Sequence, residues 1–182
     1  LLGMLMAAKD EDSGEQMDDQ QLLDECMTIF LAGHETTAVG MSWLVYCVTQ
    51  NPEVAQQLYN EIDAVLGKEK LQLEHLRNLP YTKMVVDEAL RLYPPAWLIG
   101  RRSLKPDMIE GFELPENTNI LFPTFAIQRD PRWWKDPEKF IPERFTKEAV
   151  AERHKYVYFP FGGGPRLCIG NNFALMEMQI IT

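Results

Sequence analysis

Cysteine and histidine are scarce in this chain, three of each among 182 residues. Cys26, Cys47 and Cys168 stand far apart. They form neither the dense spacing of a disulfide framework nor the paired spacing of a structural zinc site. Basic residues are the minority, 18 against 27 acidic, for a net charge of −9; that balance argues against broad nucleic-acid binding. No apolar run is long enough to span a bilayer. Two motifs begin and stop. The triplet Gly162-Gly163-Gly164 is not followed by Gly-Lys-Ser/Thr, so it is not a phosphate-binding loop. His34-Glu35 opens like a zinc-protease helix, but Ala38 stands where the second histidine must. There is no repeat, linker or low-complexity segment.

What is present is ordinary globular composition, 46% hydrophobic and 25% charged, enough for a sizeable core. The charge is uneven. Leu1–Glu35 has one basic residue (Lys9) against nine acidic, whereas Arg129–Lys155 has eight basic against six acidic. The second stretch reads as a solvated surface or as a docking face for an acidic electron donor. The chain opens on Leu1 inside an apolar run and closes on Thr182 within a helical pattern. The expectation is one mainly helical domain with small β-sheets, an internal piece of a longer protein.

Leu1–Lys9 reads as a helix end, followed by an acidic turn over Asp10–Glu15. Asp18 or Asp19 caps a long helix that runs to Gln50, where Asn51-Pro52 stops it. Pro52 opens another helix with Asn51 as its cap, ending near Gly67. A third spans Tyr81–Tyr93 and ends at Pro94-Pro95. Trp97–Leu104, Met108–Phe112 and Asn119–Phe122 read as short strands. Pro123–Phe161, rich in proline and aromatic residues, reads as a structured loop region, and Met176, Gln179 and Ile180 continue a final helix.

The most informative stretch is Phe161–Gly170, FGGGPRLCIG. It sets Cys168 after a glycine-rich turn and just ahead of an apolar, helically spaced run. A thiolate near a helix N-terminus is stabilised by the dipole and by unpaired N–H groups. The glycines let the backbone approach a flat ligand, and Arg166 can pair with a carboxylate of that ligand. These are the parts of a haem-thiolate site. Cys26 and Cys47 suit the usual reading of an isolated cysteine as a small buried apolar residue. In the long helix, Ala32-Gly33-His34-Glu35-Thr36-Thr37 puts a glycine and two threonines where helix formers are expected. Such a site serves helix–helix packing, or a groove with the Thr36 hydroxyl beside it. Glu88 and Arg91 share one helix face; by default this is a surface ion pair of little worth.

The cysteine stretch fits F-x-x-G-x-R-x-C-x-G, and on that pattern the chain resembles the cytochrome P-450 family from end to end. The resemblance implies the P-450 fold, incomplete at both ends, from the oxygen-activation helix to the start of the proximal helix. Cys168 would be the axial ligand of haem iron. Arg166, Phe161, Gly162, Gly170 and Arg101 would contact haem b, with Arg101 favoured over Arg102 for a propionate. Glu35 and Thr36 match the acid–threonine pair, in which Thr36 hydrogen-bonds dioxygen and Glu35 relays protons. Glu88, Arg91 and the arginine of Pro142-Glu143-Arg144-Phe145 would form a buried structural network. Ala32, Ala96, Trp97 and Leu98 are candidate substrate contacts, with ordinary core the alternative for the last three. In Gln128-Arg129-Asp130-Pro131, glutamine stands where the family often has histidine, which leaves a secondary hydrogen bond in doubt.

The activity implied is monooxygenation, one oxygen atom of O2 entering an apolar organic substrate, with electrons from a ferredoxin or flavin reductase. The alternatives are a haem-thiolate peroxygenase or isomerase, against which Glu35 and Thr36 speak, and a truncated haem-binding piece without catalysis. No nucleic-acid partner is expected, and this piece has no membrane segment. A soluble, cytoplasmic, bacterial-type enzyme is favoured, with a membrane anchor ahead of Leu1 left open.

Overall fold

The computed structural model describes residues 2–182; Leu1, the first residue of the expected opening helix end, lies outside them. Helix α1 covers Leu2–Ala7. The acidic turn that follows is held by the Asp10 carboxylate, which accepts from the backbone of Asp12 at 3.1 Å and of Ser13 at 2.7 Å. Helix α2 runs from Asp19 to Gln50, with the Asp18 side chain capping the Gln21 N–H at 2.7 Å. Its buried residues are Thr37, Gly40, Leu44 and Cys47, three and four apart, so one stripe of the second half faces the core.

Helix α3 (Pro52–Leu66) begins at the expected proline. Asn51 is not its side-chain cap: its amide turns back to donate to the Cys47 carbonyl at 2.7 Å, closing α2 instead. A short α4 (Leu73–Leu76), not expected from the sequence, precedes α5 (Pro80–Leu92). Helix α5 is the centre of the molecule. Every residue from Val85 to Leu92 is buried, because α2, α3, α8 (Asn171–Ile181) and the 3-10 turn Pro142–Phe145 all pack around it. Leu44 of α2, Val86, Ala89 and Leu90 of α5 and Met178 of α8 make one core cluster. Val54 and Leu58 of α3 close on Val85 in a second, and Trp134, Phe145 and Val157 form a third.

Strand β1 (Ile99–Arg102) pairs antiparallel with β4 (Asn119–Phe122), and β2 (Asp107–Ile109) with β3 (Phe112–Leu114). The expected single strand Met108–Phe112 is therefore a hairpin. Glu110 and Gly111 take φ of +51° and +85° and reverse the chain, the two-residue turn that matches strand twist. The stretch Pro123–Phe161 is more structured than a loop. It contains α6 (Thr124–Ile127), the 3-10 turn Pro142–Phe145, α7 (Lys147–Glu152) and a second 3-10 turn, Lys155–Val157. No helix among the described residues is long and apolar enough to cross a membrane.

Candidate functional site

The cysteine loop is closed at its neck by the backbone. The Cys168 N–H donates to the Phe161 carbonyl at 3.0 Å, and the Gly162 N–H to the Phe159 carbonyl at 2.9 Å. Gly162 and Gly164 have φ of +77° and +71°, a left-handed backbone that side chains resist. The Phe161 ring packs against the Leu44–Met178 cluster and anchors the loop to the core. Gly170 starts α8, its carbonyl accepting from the Ala174 N–H at 2.9 Å. Cys168 itself is exposed, as are Arg166 and Ile169. A Cβ added at Gly170 would come to 3.9 Å from the Cys168 Sγ, so the bare glycine keeps that side of the sulfur open.

The other cysteines are set up differently. Cys47 is buried, and burial, followed by the charge of Glu88, pushes its thiol up to about 12; it is unreactive at neutral pH. Cys26 is half-buried.

Beside the loop stands one face of the β1–β4 pair. Residues two apart on a strand share a face and pair with the residues opposite, so Ile99, Arg101, Ile120 and Phe122 line one side. Arg102 and Gly100 are on the other. The position a Gly162 Cβ would take lies 3.7 Å from Ile99 Cδ1 and 3.9 Å from Arg101 Nη2. Arg101, half-buried, is thus the arginine next to the cysteine loop, whereas Arg102 is exposed on the opposite face. An exposed soft ligand, a glycine cradle, an apolar strand face and arginines at its edge are the donor set a haem needs: sulfur for iron, flat apolar surface for the ring, cations for the propionates.

Helix α2 reaches this region through Gly40. Its Cβ position lies 3.3 Å from Met178 Cε of α8 and 3.5 Å from Pro95 Cγ. Thr36 is one turn earlier. Its hydroxyl donates to the Ala32 carbonyl at 2.6 Å, and Gly33 has open space around it. Ala32, Glu35 and Thr36 are exposed while Thr37 is buried, so of the two threonines it is Thr37 that serves packing. Ala96 and Trp97 are exposed and Leu98 is half-buried. Two grooves of about 440 and 420 Å³ lie elsewhere, where the α2–α3 junction and the end of α5 meet Glu138–Glu143. Neither includes Cys168, Thr36 or Arg101.

Beneath the loop lies a buried polar network. Glu88 and Arg91 are both fully buried rather than on the surface. Arg91 Nε and Nη2 donate to the two Glu88 oxygens at 2.7 and 2.8 Å. Its remaining N–H groups reach the carbonyls of Gln128 (2.8 Å), Pro137 (2.8 Å) and Lys139 (3.1 Å). Glu88 Oε1 also accepts from the Ile141 N–H at 2.9 Å and from Arg144 Nε at 3.3 Å. Desolvation holds the Arg144 guanidinium below the usual arginine range, with Glu88 opposing it.

A cytochrome P450 family model matches residues 1–182, the whole chain. The chain belongs to the cytochrome P450 family. Cyclooctatin synthase from Streptomyces melanosporofaciens is 38% identical across 99% of the chain, and cytochrome P450 3A6 from Oryctolagus cuniculus 39% identical across 95%. The crystal structure of the cytochrome P450DA heme domain superposes with a TM-score of 0.91 at 31% identity, covering 98% of this chain and 40% of that one. The chain spans less than two-fifths of the curated relatives' length, 39% and 35% for these two. The mainly helical fold with small antiparallel sheets is that of the P450s, which are haem-thiolate enzymes using haem b and O2.

The sequence reading missed what Gln128 does in this P450 chain. Its side chain is buried and fully engaged, donating to the Leu90 and Arg91 carbonyls and accepting from the Phe159 N–H, each at 3.0 Å. Its signal in sequence was the departure itself, glutamine where the family often has histidine, which put one secondary hydrogen bond in doubt and gave none of the three partners. Tyr158 was missed as well. It donates to Asp87 Oδ1 at 2.9 Å, and Lys83 holds the other oxygen at 2.6 Å.

Proposed function

We propose that this chain carries the iron-ligating and oxygen-activating parts of a haem-dependent monooxygenase that inserts one oxygen atom of O2 into an apolar organic substrate. The observation that carries the reading is the exposed Cys168 sulfur, on a loop closed by the Phe161–Cys168 hydrogen bond and flanked by Arg101. Bound haem supplies the iron at which O2 is reduced and its O–O bond cleaved.

The chain's own residues supply the rest. Cys168 would hold the iron as thiolate and donate electron density to it. Arg101 and Arg166 would pair with the propionates, fixing the ring's rotation, while Phe161 anchors the loop and Gly162 and Gly170 keep backbone and ligand close. The Thr36 hydroxyl, bonded to Ala32 in this structure, has a free lone pair and a rotatable proton to offer an oxygen ligand. Glu35, exposed one residue before it, would carry protons in from solvent. Ala32, Ala96, Trp97 and Leu98 would give the substrate an apolar wall. Electrons would come from a ferredoxin or a flavin reductase, and the cytoplasm is the compartment that keeps such a thiolate reduced.

The test is the carbon monoxide difference spectrum of the reduced, haem-loaded protein. A red-shifted thiolate band that vanishes in Cys168→Ser supports the reading, and an unchanged band in that variant removes it. For the chain expressed alone, a haem-binding piece without turnover is the second reading. It is favoured by the exposure of Phe30 and Leu31 on α2, apolar side chains with no partner element over them among the described residues.

A further inference from the structure

Gln128 is the point at which the buried core of α5 meets the segment that leads into the cysteine loop. Its amide nitrogen donates to the last carbonyls of α5, Leu90 and Arg91, and its amide oxygen accepts from the Phe159 N–H, all at 3.0 Å. The orientation is forced. Reversing the amide would set its oxygen against two carbonyls and its NH2 against an N–H. Gln128 is also held from behind, its own carbonyl taking an Arg91 Nη1 donor at 2.8 Å. Beyond Phe159 the connection continues through backbone: the Phe159 carbonyl accepts from Gly162, and the Phe161 carbonyl from Cys168. Helix carbonyls at a C-terminus have no intrahelical partner; here one side chain satisfies two of them and uses its third bond to fix the loop.

We propose that Gln128 is a positioning residue for the Cys168 sulfur, a clasp that transmits the rigidity of the Glu88–Arg91 core to the haem-ligating loop. The proposal rests on the reading of Cys168 as the iron ligand. The chemistry selects an amide. Two donors and an acceptor are used at once, and neutral imidazole offers one of each while imidazolium offers two donors and no acceptor. An amide also does not titrate, so the clasp holds at every pH at which the protein folds.

The experiment compares haem-loaded full-length protein with Gln128→Met, which keeps length and removes all three bonds, and Gln128→His, which retains at most one donor and one acceptor. The reduced carbon monoxide spectrum is followed during heating, alongside far-ultraviolet circular dichroism. In the unmutated protein the thiolate band and the helix signal should be lost together. In Gln128→Met the ratio of thiol-type to thiolate band should rise about tenfold while the helices are still intact, with Gln128→His in between. Loss of the band only in step with the helices in both variants would overturn the proposal. A further measurement needs no variant: in the unmutated holoprotein, hydrogen exchange at the Phe159 and Cys168 amides should be slow and should rise together. Independent exchange at the two sites sinks the clasp. Absence of any thiolate band in the unmutated protein would instead remove the ligand assignment, a different failure.

Discussion

Arg91 spends all five of its N–H donors inside the protein, two on Glu88 and three on backbone carbonyls of the segment Gln128–Lys139. Both side chains of the pair are 0% exposed. A buried pair of this kind is weak support for stability as such, because desolvation offsets the attraction, but removing one member strands the other charge. Arg91→Met should therefore cost about 3–5 kcal/mol in urea unfolding of the haem-loaded protein. Arg91→Lys should recover little, since an ammonium has three donors and no planar fork. A loss under about 1 kcal/mol in Arg91→Met would show that the network relaxes without penalty.

Arg101 and Arg102 are adjacent in sequence and opposite in space. Only Arg101 shares a face with Ile99 and lies near Gly162. Arg101→Gln is expected to weaken haem retention roughly tenfold, the size of one charge-assisted hydrogen bond, and Arg102→Gln to leave it unchanged. Haem transfer to an apo acceptor protein gives the two rates. Equal losses in both variants would remove the assignment of Arg101.

Access separates the three cysteines. In the haem-free protein at neutral pH, an alkylating reagent should modify Cys168 first and leave Cys47 untouched, because burial both shields that thiol and raises it to about 12. Haem should protect Cys168 selectively. Peptide mapping after timed alkylation decides it, and labelling of Cys47 at the rate of Cys168 would contradict the packing of α2 on α5.

The elements that could be read from sequence are those whose signals are local. Asp18 marks the start of α2 and Asn51-Pro52 its end, and α5 is found within one residue at each boundary. The cysteine loop is equally plain, since its glycines, arginine and cysteine are contiguous. The stretch Pro123–Phe161 is different. Its order comes from Arg91, Glu88 and Gln128 bonding to groups many residues away, which leaves no period to detect. The split of Met108–Phe112 into a hairpin depends on two left-handed residues, of which only Gly111 advertises itself. The burial of Glu88 and Arg91 was implied by the family resemblance and not by the local pattern, which by default gives a surface pair. On α5 alone they are one charged pair three residues apart, and only the surrounding elements close over them.

Alkaline pH should destabilise the fold. The Tyr158 hydroxyl is raised well above its ordinary value of 10.0 by burial and then by the Asp87 charge it donates to. The folded state therefore binds that proton more tightly than the unfolded chain. Its contribution is complete below about pH 10 and is lost as the pH rises toward the folded value. Cys47 and Tyr81, each raised to about 12, act in the same direction. Unfolding free energy should fall above neutral pH, from the range where a cysteine in the unfolded chain begins to ionise. Tyr158→Phe should shallow that fall above pH 10 while costing about 1 kcal/mol at neutral pH through the lost bond to Asp87. An identical slope in Tyr158→Phe would show that the tyrosine does not report on the fold.

Thr36 allows structure and chemistry to be separated in one variant. Its hydroxyl is bonded only within its own helix, to Ala32 at 2.6 Å, on an exposed turn of α2. A threonine bonded back in this way is slightly unfavourable in a helix, and alanine is the better helix former by up to about 0.7 kcal/mol. Thr36→Ala should then leave unfolding unchanged or slightly improved and haem content unchanged. If the hydroxyl serves proton delivery, the same variant should divert reducing equivalents, so that peroxide formed per reductant consumed rises several-fold while product falls. Thr36→Ser, which keeps the hydroxyl, should restore most of the coupling. Packing loss cannot produce this combination, because it would lower stability first. Unchanged coupling in Thr36→Ala with a stable fold would strip Thr36 of its proposed role and leave it as an exposed helix residue.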